Sequence, residues 1–122
     1  MDNEDQADLL RKRIKQEKFT GDYKILVREN LTNDRKPPRP IHKIPPFYPP
    51  ELKELGITGT VLMWSIVDET GRVVEVAIEE TTDERFNEVA IEAYLLWRFE
   101  PAEYSGERVA SLVRLPMSFT LK

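Results

Sequence analysis

Hydrophobic and polar positions change period along this chain, and each change marks an element. From Thr58 to Val67 the residues Val61, Leu62, Met63, Trp64, Ile66 and Val67 are β-branched or bulky, which predicts a mostly buried strand. Asp68-Glu69-Thr70-Gly71 follows, and its glycine can supply the positive φ of a short hairpin loop with a bulge. Val74, Val76 and Ile78 then alternate with Glu75, Ala77 and Glu79, predicting a second strand with one wet face. The period next shifts to that of a helix. Thr81 and Glu84 have capping-box spacing, so a helix is expected from near Asp83 to about Trp97. Phe86, Val89, Ala90, Ala93, Leu96 and Trp97 would share the face laid on the sheet. After Pro101 and Gly106 a last strand is expected from about Arg108 to Phe119, with Val109, Val113, Leu115, Met117 and Phe119 on one side.

Geometry limits how these elements connect. If the helix returns the chain so that the last strand runs parallel to the second, that strand can lie antiparallel beside the first. The fold class is then α+β: a two-layer domain with a short helix, a β-β-α-β unit and an antiparallel sheet in the order second, first, last. Pro116 lacks a ladder donor and suits an edge, so the last strand is expected to be a free edge.

Upstream the signals are thinner. Asp5 to Lys18 has helix-forming composition with a narrow stripe of Leu9, Leu10 and Ile14, and Tyr23 to Val27 alternates as a short strand would. Seven of the nine prolines fall between Pro37 and Pro50, which reads as a stiff, extended connector. Pro49 and Pro50 suit a first helical turn, Glu51 to Leu55 continues it, and Gly56 can end it in the left-handed conformation. The expected organisation is an N-terminal segment over 1–36, a connector over 37–47 and a folded domain over 48–122. Ile91 and Leu95 fall on the helix face away from the sheet, where polar residues are expected. Two covers are open: Leu9 to Val27 folds back and brings Leu10, Ile14, Tyr23 and Ile25 onto the helix, or a second chain packs there in a symmetric homodimer.

Composition narrows the chemistry. At 122 residues, 40% apolar and 33% charged, the chain can bury one core of ordinary size. It has no cysteine and a single histidine, His42, so thiol chemistry and multi-histidine metal sites have no residues to use. The net charge of -4 is unevenly spread: residues 61–122 hold twelve acids against six bases, a poor surface for phosphate backbones, so nucleic acid is set aside. Apolar runs such as Val61 to Trp64 are far short of a membrane span, and the acidic start MDNEDQADLL lacks the features of a secretory signal. No Walker loop, GxGxxG or GxSxG is present. The acids Glu79, Glu80, Asp83 and Glu84 straddle a helix start and read as a solvated cap rather than a metal site, so no catalytic, metal or cofactor-binding residue is assigned and no cofactor is expected. His42 reads as a solvated loop residue, and Trp64 and Trp97 as core or partly buried. The free edge stands apart, because adding a partner's strand to it needs no catalytic residue.

Six motifs in order carry a family resemblance. Pro46-Phe47-Tyr48-Pro49, Gly56-Ile57-Thr58-Gly59, Val67-Asp68-Glu69-Thr70-Gly71-Arg72-Val73, Phe86 with Ala90 and Ala93, Trp97-Arg98-Phe99-Glu100-Pro101-Ala102, and Gly106 resemble the TonB C-terminal domain over about residues 44–120. The resemblance implies a periplasmic domain with a sheet backed by helices, at the end of an inner-membrane-anchored energy transducer. It implies capture of the TonB box of an outer-membrane receptor by the last strand, helped by the stretch before the YP motif. Force from the proton gradient, delivered in the full-length context with ExbB/ExbD-like inner-membrane proteins, would then drive uptake of siderophores, cobalamin or other scarce nutrients.

Carried onto this chain, the pairing strand comprises Arg108, Val109, Ala110, Ser111, Leu112, Val113, Arg114 and Leu115 within the run to Phe119, and the upstream contact comprises His42, Ile44, Phe47 and Tyr48. A different functional class stays open beside it. The same fold could serve as a cell-envelope interaction or assembly module without energy coupling. An upstream membrane helix with a long proline-rich spacer would favour the transducer, and a natural start at Met1 would favour the module.

Overall fold

The computed structural model describes residues 34–121 and, upstream, the backbone strand Tyr23–Ile25. The strands are β1 (Tyr23–Ile25), β2 (Arg35–Lys36), β3 (Arg39–His42), β4 (Gly59–Val67), β5 (Val73–Thr81), β6 (Arg98–Glu100), β7 (Ala102–Tyr104), β8 (Glu107–Val109) and β9 (Ser111–Phe119). Two helices accompany them, α1 (Pro50–Glu54) and α2 (Asn87–Leu95), the second entered through a 3₁₀ turn at Glu84–Phe86. The helix expected over Asp5 to Lys18, and the Leu10 and Ile14 contacts with it, lie outside the described residues.

The main sheet has the order β1-β9-β4-β5. Its β9-β4-β5 part is the antiparallel arrangement expected, with Val61 opposite Met117, Ser65 opposite Val113 and Val67 opposite Ser111. Val61, Met63, Ser65 and Val67 are all buried on the face that α2 covers. Trp64, Ala77 and Leu112 are buried on the other face, so the centre of the sheet is dry on both sides. On β5 the expected alternation is displaced at one end. A register shift at Ile66/Val67 sets Val73 opposite Val67 and buries it, while Val74 is turned outward and 50% exposed. Val76 and Ile78 keep the core side as expected.

The hairpin that joins β4 and β5 is held by Asp68, whose Oδ1 accepts from the Thr70 and Arg72 backbone N–H groups at 2.9 and 3.0 Å. Gly71 has φ +89°, and its carbonyl accepts the Phe99 N–H at 2.8 Å. A Cβ there would sit 2.0 Å from the Phe99 carbonyl oxygen, so both the angle and the contact exclude a side chain.

The entry to α2 differs from the expected capping box. Asp83 is the cap, accepting from the Arg85 N–H at 3.0 Å, while Thr81 Oγ1 donates to the Asp83 carbonyl and Glu84 opens the 3₁₀ turn. The helix ends at Leu95 rather than Trp97. Phe86, Ala90, Ala93 and Trp97 are buried as expected, but Leu96, past the last turn, is 58% exposed and Tyr94 takes the buried place. Tyr94 reaches across the core to Ser65, with their hydroxyl oxygens 2.6 Å apart. Two aromatic groups flank the helix: Tyr48, Phe86 and Phe119 at its start, with Phe86 and Phe119 stacked at 4.3 Å, and Tyr94, Trp97 and Phe99 at its end.

Non-local strand pairs add to one expectation and correct two. The proline-rich stretch is tied to the domain, because β3 pairs antiparallel with β6 and β2 with β7. The long last strand is divided at Ala110, and Val109 lies in β8 opposite Ala102 of β7 instead of sharing the β9 face. The β7–β8 turn needs Ser105 at φ +52° and Gly106 at φ +83°. Finally, β9 is not a free edge along its whole length: β1 pairs with its first three residues, Tyr23 opposite Val113, Lys24 opposite Leu112 and Ile25 opposite Ser111. Among the described residues the upstream chain reaches the domain as β1, paired with β9, and α2 packs on β5. Ile91 is half-buried against the core, and Leu95 is exposed.

Candidate functional site

The outer edge of β9 offers backbone donors and acceptors to another strand, as does that of β5 at the opposite edge of the sheet. The inner edge of β9 is fully used by β4 from Gly59 to Val67. Its outer edge is used by β1 over Ser111, Leu112 and Val113, and among the described residues no strand pairs with it from Arg114 to Phe119. Strand alternation places Leu115, Met117 and Phe119 toward the core and Arg114, Pro116 and Ser118 on the opposite face.

That opposite face has its own order. Glu79 Oε1 accepts the Trp64 indole N–H at 2.9 Å, and Glu79 Oε2 accepts from Arg114 Nε at 3.2 Å and Nη2 at 3.1 Å. The Arg114 guanidinium also lies 5.7 Å from the Trp64 ring centroid. One carboxylate thus spans β5, β4 and β9 and lays the Arg114 side chain across the sheet. Beside it, Thr60, Leu62, Glu80, Thr81, Thr82 and Pro116 line an open depression of about 490 Å³ next to the unpaired stretch.

The residues named from the sequence divide between several places. Arg108 and Val109 are engaged in the β7–β8 hairpin opposite Glu103 and Ala102, and Ala110 is the half-buried break. Ser111, Leu112 and Val113 are buried and paired on both sides, and Arg114 and Leu115 begin the open stretch. Upstream, His42 is exposed in β3 opposite Arg98, away from β9. The Ile44 carbonyl accepts the Trp97 indole N–H at 2.9 Å. Tyr48 donates its hydroxyl to the Ile57 carbonyl, and its ring lies 5.8 Å from that of Phe119 at the end of β9. Phe47 points outward and is 66% exposed. The structure therefore brings Tyr48 to the far end of β9 and fixes His42 and Ile44 against β6 and Trp97.

Residues the sequence reading missed are Glu79 as the holder of Arg114, and β1 as a partner of β9. Glu79 was legible only as one of several acids near a helix start; its Trp64 and Arg114 partners are fifteen and thirty-five residues away. The acids do not converge, for Asp83 turns to Arg85 while Glu79 turns to the sheet, and among the described residues no three such side chains are grouped to hold a metal.

Charge states follow local contacts. The side-chain hydrogen bond from Arg85, with the backbone bond behind it, holds the Asp83 carboxyl below its ordinary range. Burial pushes the Tyr94 phenol far above its ordinary value, against the smaller opposing effect of the Ser65 hydroxyl, so it is a neutral hydrogen-bonding group.

Comparison with known proteins decides the family. Residues 44–121 match the model described as Gram-negative bacterial TonB protein C-terminal. The chain belongs to the TonB C-terminal family. Two proteins named Protein TonB, from Xanthomonas campestris pv. campestris strains B100 and ATCC 33913, are each 33% identical over 78 residues, covering 63% of this chain and 35% of the relative. The chain therefore matches about a third of the length of these curated relatives. The solution NMR structure of the Pseudomonas aeruginosa TonB CTD superposes with a TM-score of 0.60 at 27% identity, covering 75% of this chain and 91% of that one. The matched segment begins at Ile44, so it takes in the YP stretch, the hairpin, α2 and β9, and leaves out β1, β2 and β3.

Proposed function

We propose that this chain is the periplasmic part of an inner-membrane-anchored energy transducer, and that it captures the TonB-box segment of an outer-membrane receptor by strand addition to β9. Membership of the TonB C-terminal family supports transduction as the setting. The observation that carries the binding mode is the β9 edge. Three of its residues already accept an antiparallel strand from β1, and the next six face no strand among the described residues.

In such a complex the main chain of the partner supplies hydrogen bonds, and alternate side chains supply selectivity. The depression beside Leu62 and Pro116 offers a seat for one of them. Pro116 has no N–H, so the ladder is interrupted locally and binding is weak and tolerant of side-chain changes. Motion of the inner-membrane partners, of the ExbB/ExbD kind, would reach the receptor through this shared sheet and drive siderophore- or cobalamin-type uptake.

The test is a pair of TonB-box peptides of one sequence, one of them N-methylated at alternate residues. Calorimetry should detect binding of the unmodified peptide and lose it when the methylated amides are those of the ladder. A third peptide carries the complementary set of alternate N-methyl groups, and equal binding of all three would rule out strand addition.

A further inference from the structure

We infer that β1 is a built-in occupant of the partner's edge, a strand that must leave β9 before a receptor segment can pair fully; this rests on the strand-addition reading. A strand has one outer edge. Along Ser111 to Val113 alternate residues turn their N–H and C=O outward, and the outward groups that an added strand would need are those that β1 meets, with Ile25, Lys24 and Tyr23 opposite. A partner confined to the open stretch would have Arg114 to Phe119 only, with the donor missing at Pro116 in its middle. A continuous ladder therefore requires the β1 segment of the edge, and the two strands exclude one another.

β1 has the properties of a displaceable occupant. Among the described residues it pairs over three positions, whereas β4 pairs with β9 over nine. It is tethered: residues 26–33 separate it from Asp34, and β2 is held by its pairing with β7. A tether of this length keeps a competing strand at an effective concentration on the order of millimolar, enough to occupy an edge whose intrinsic pairing is weak. The apparent affinity for a partner then falls by the fraction of molecules in which β1 is open.

The experiment uses the full chain and a panel of TonB-box heptapeptides from the receptors of the same genome. In Lys24→Pro/Ile25→Pro, adjacent residues of β1 lose their N–H groups, and because successive N–H groups of a strand alternate in direction, one of the two lost donors faces β9. Peptide affinity should rise about five- to tenfold. A second variant locks the strand: Ile25→Cys with Ser111→Cys joins directly opposed residues in a chain that has no other cysteine. Oxidised, it should bind at least about tenfold more weakly than when reduced, and reductant should restore binding. Equal affinity of the parent, the proline variant and the oxidised variant would overturn the occupancy of the site by β1 while leaving strand addition elsewhere on β9 intact. Absence of binding in every form, with unchanged amide exchange over Ser111 to Val113 in the proline variant, would overturn both.

Discussion

The indole N–H of Trp97 donates to the carbonyl of Ile44 at 2.9 Å, across fifty-three residues of sequence. This bond fastens the proline-rich stretch to the end of α2, and the Lys43 ammonium lies 5.7 Å from the centroid of the same ring. Trp97→Phe keeps an aromatic ring but orphans the carbonyl, and should cost about 1 to 3 kcal/mol. Trp97→Ala should cost about 3 to 5 kcal/mol. Chemical denaturation measures both, and hydrogen exchange should show the β3 amides loosening in the Phe variant before those of β4.

Gly71 and Gly106 separate two demands on a glycine. Both have positive φ, but only Gly71 meets backbone where a Cβ would stand. Gly106→Ala should cost about 1 to 2 kcal/mol, the ordinary strain of a left-handed residue. Gly71→Ala should cost more, above about 2 kcal/mol, because the Phe99 peptide must also move. Thermal melts of the two variants side by side would show the difference.

The pattern of residues carried the centre of the fold and little of its edges. The hairpin, the helix and the β9 face were legible because each is a local period, set by Val61 to Val67, by Phe86, Ala90 and Ala93, and by Val113 to Phe119. Val73 and Val74 exchanged places because a bulge leaves alternation intact on either side of itself and shifts its phase. Tyr94 was missed because its burial depends on Ser65, a partner twenty-nine residues away. The Ser105-Gly106 turn was open to reading as a hairpin signal, and would have revealed β7 and β8. The pairing of β1 with β9 had no local signal at all, since nothing in Tyr-Lys-Ile says which edge it meets.

Asp68 makes the hairpin sensitive to acid. Burial would raise its carboxyl, but hydrogen bonds from the Thr70 side chain and from the Arg72 and Thr70 N–H groups, with the Arg72 charge, outweigh this and lower it below 3.8. A lowered folded-state value means the contribution is complete above the unfolded-state pKa and is lost as pH falls through the folded one. Stability of the parent should therefore decline below about pH 4, and Asp68→Asn should show a shallower decline in that window. Denaturation midpoints between pH 6 and pH 2 give the comparison.

Glu79 and Arg114 should couple weakly in stability and clearly in geometry. Both side chains are partly exposed, so a double-mutant cycle with Glu79→Ala and Arg114→Ala should return about 0.2 to 1 kcal/mol. The Trp64 indole resonance should move in Glu79→Ala, where its acceptor is gone, more than in Arg114→Ala. An unmoved indole resonance in Glu79→Ala would mean that Glu79 does not bridge the strands.

The most direct test of the account is an isotope-labelled full chain titrated with an unlabelled TonB-box peptide and followed through backbone amides. Strand addition to β9 predicts intermolecular contacts between peptide amides and β9 backbone protons, in antiparallel or parallel register, with the largest shifts from Ser111 to Phe119. It also predicts changes at Tyr23 to Ile25 as β1 leaves the edge. Contacts at β5, or shifts confined to the first 36 residues with β9 unmoved, would contradict it.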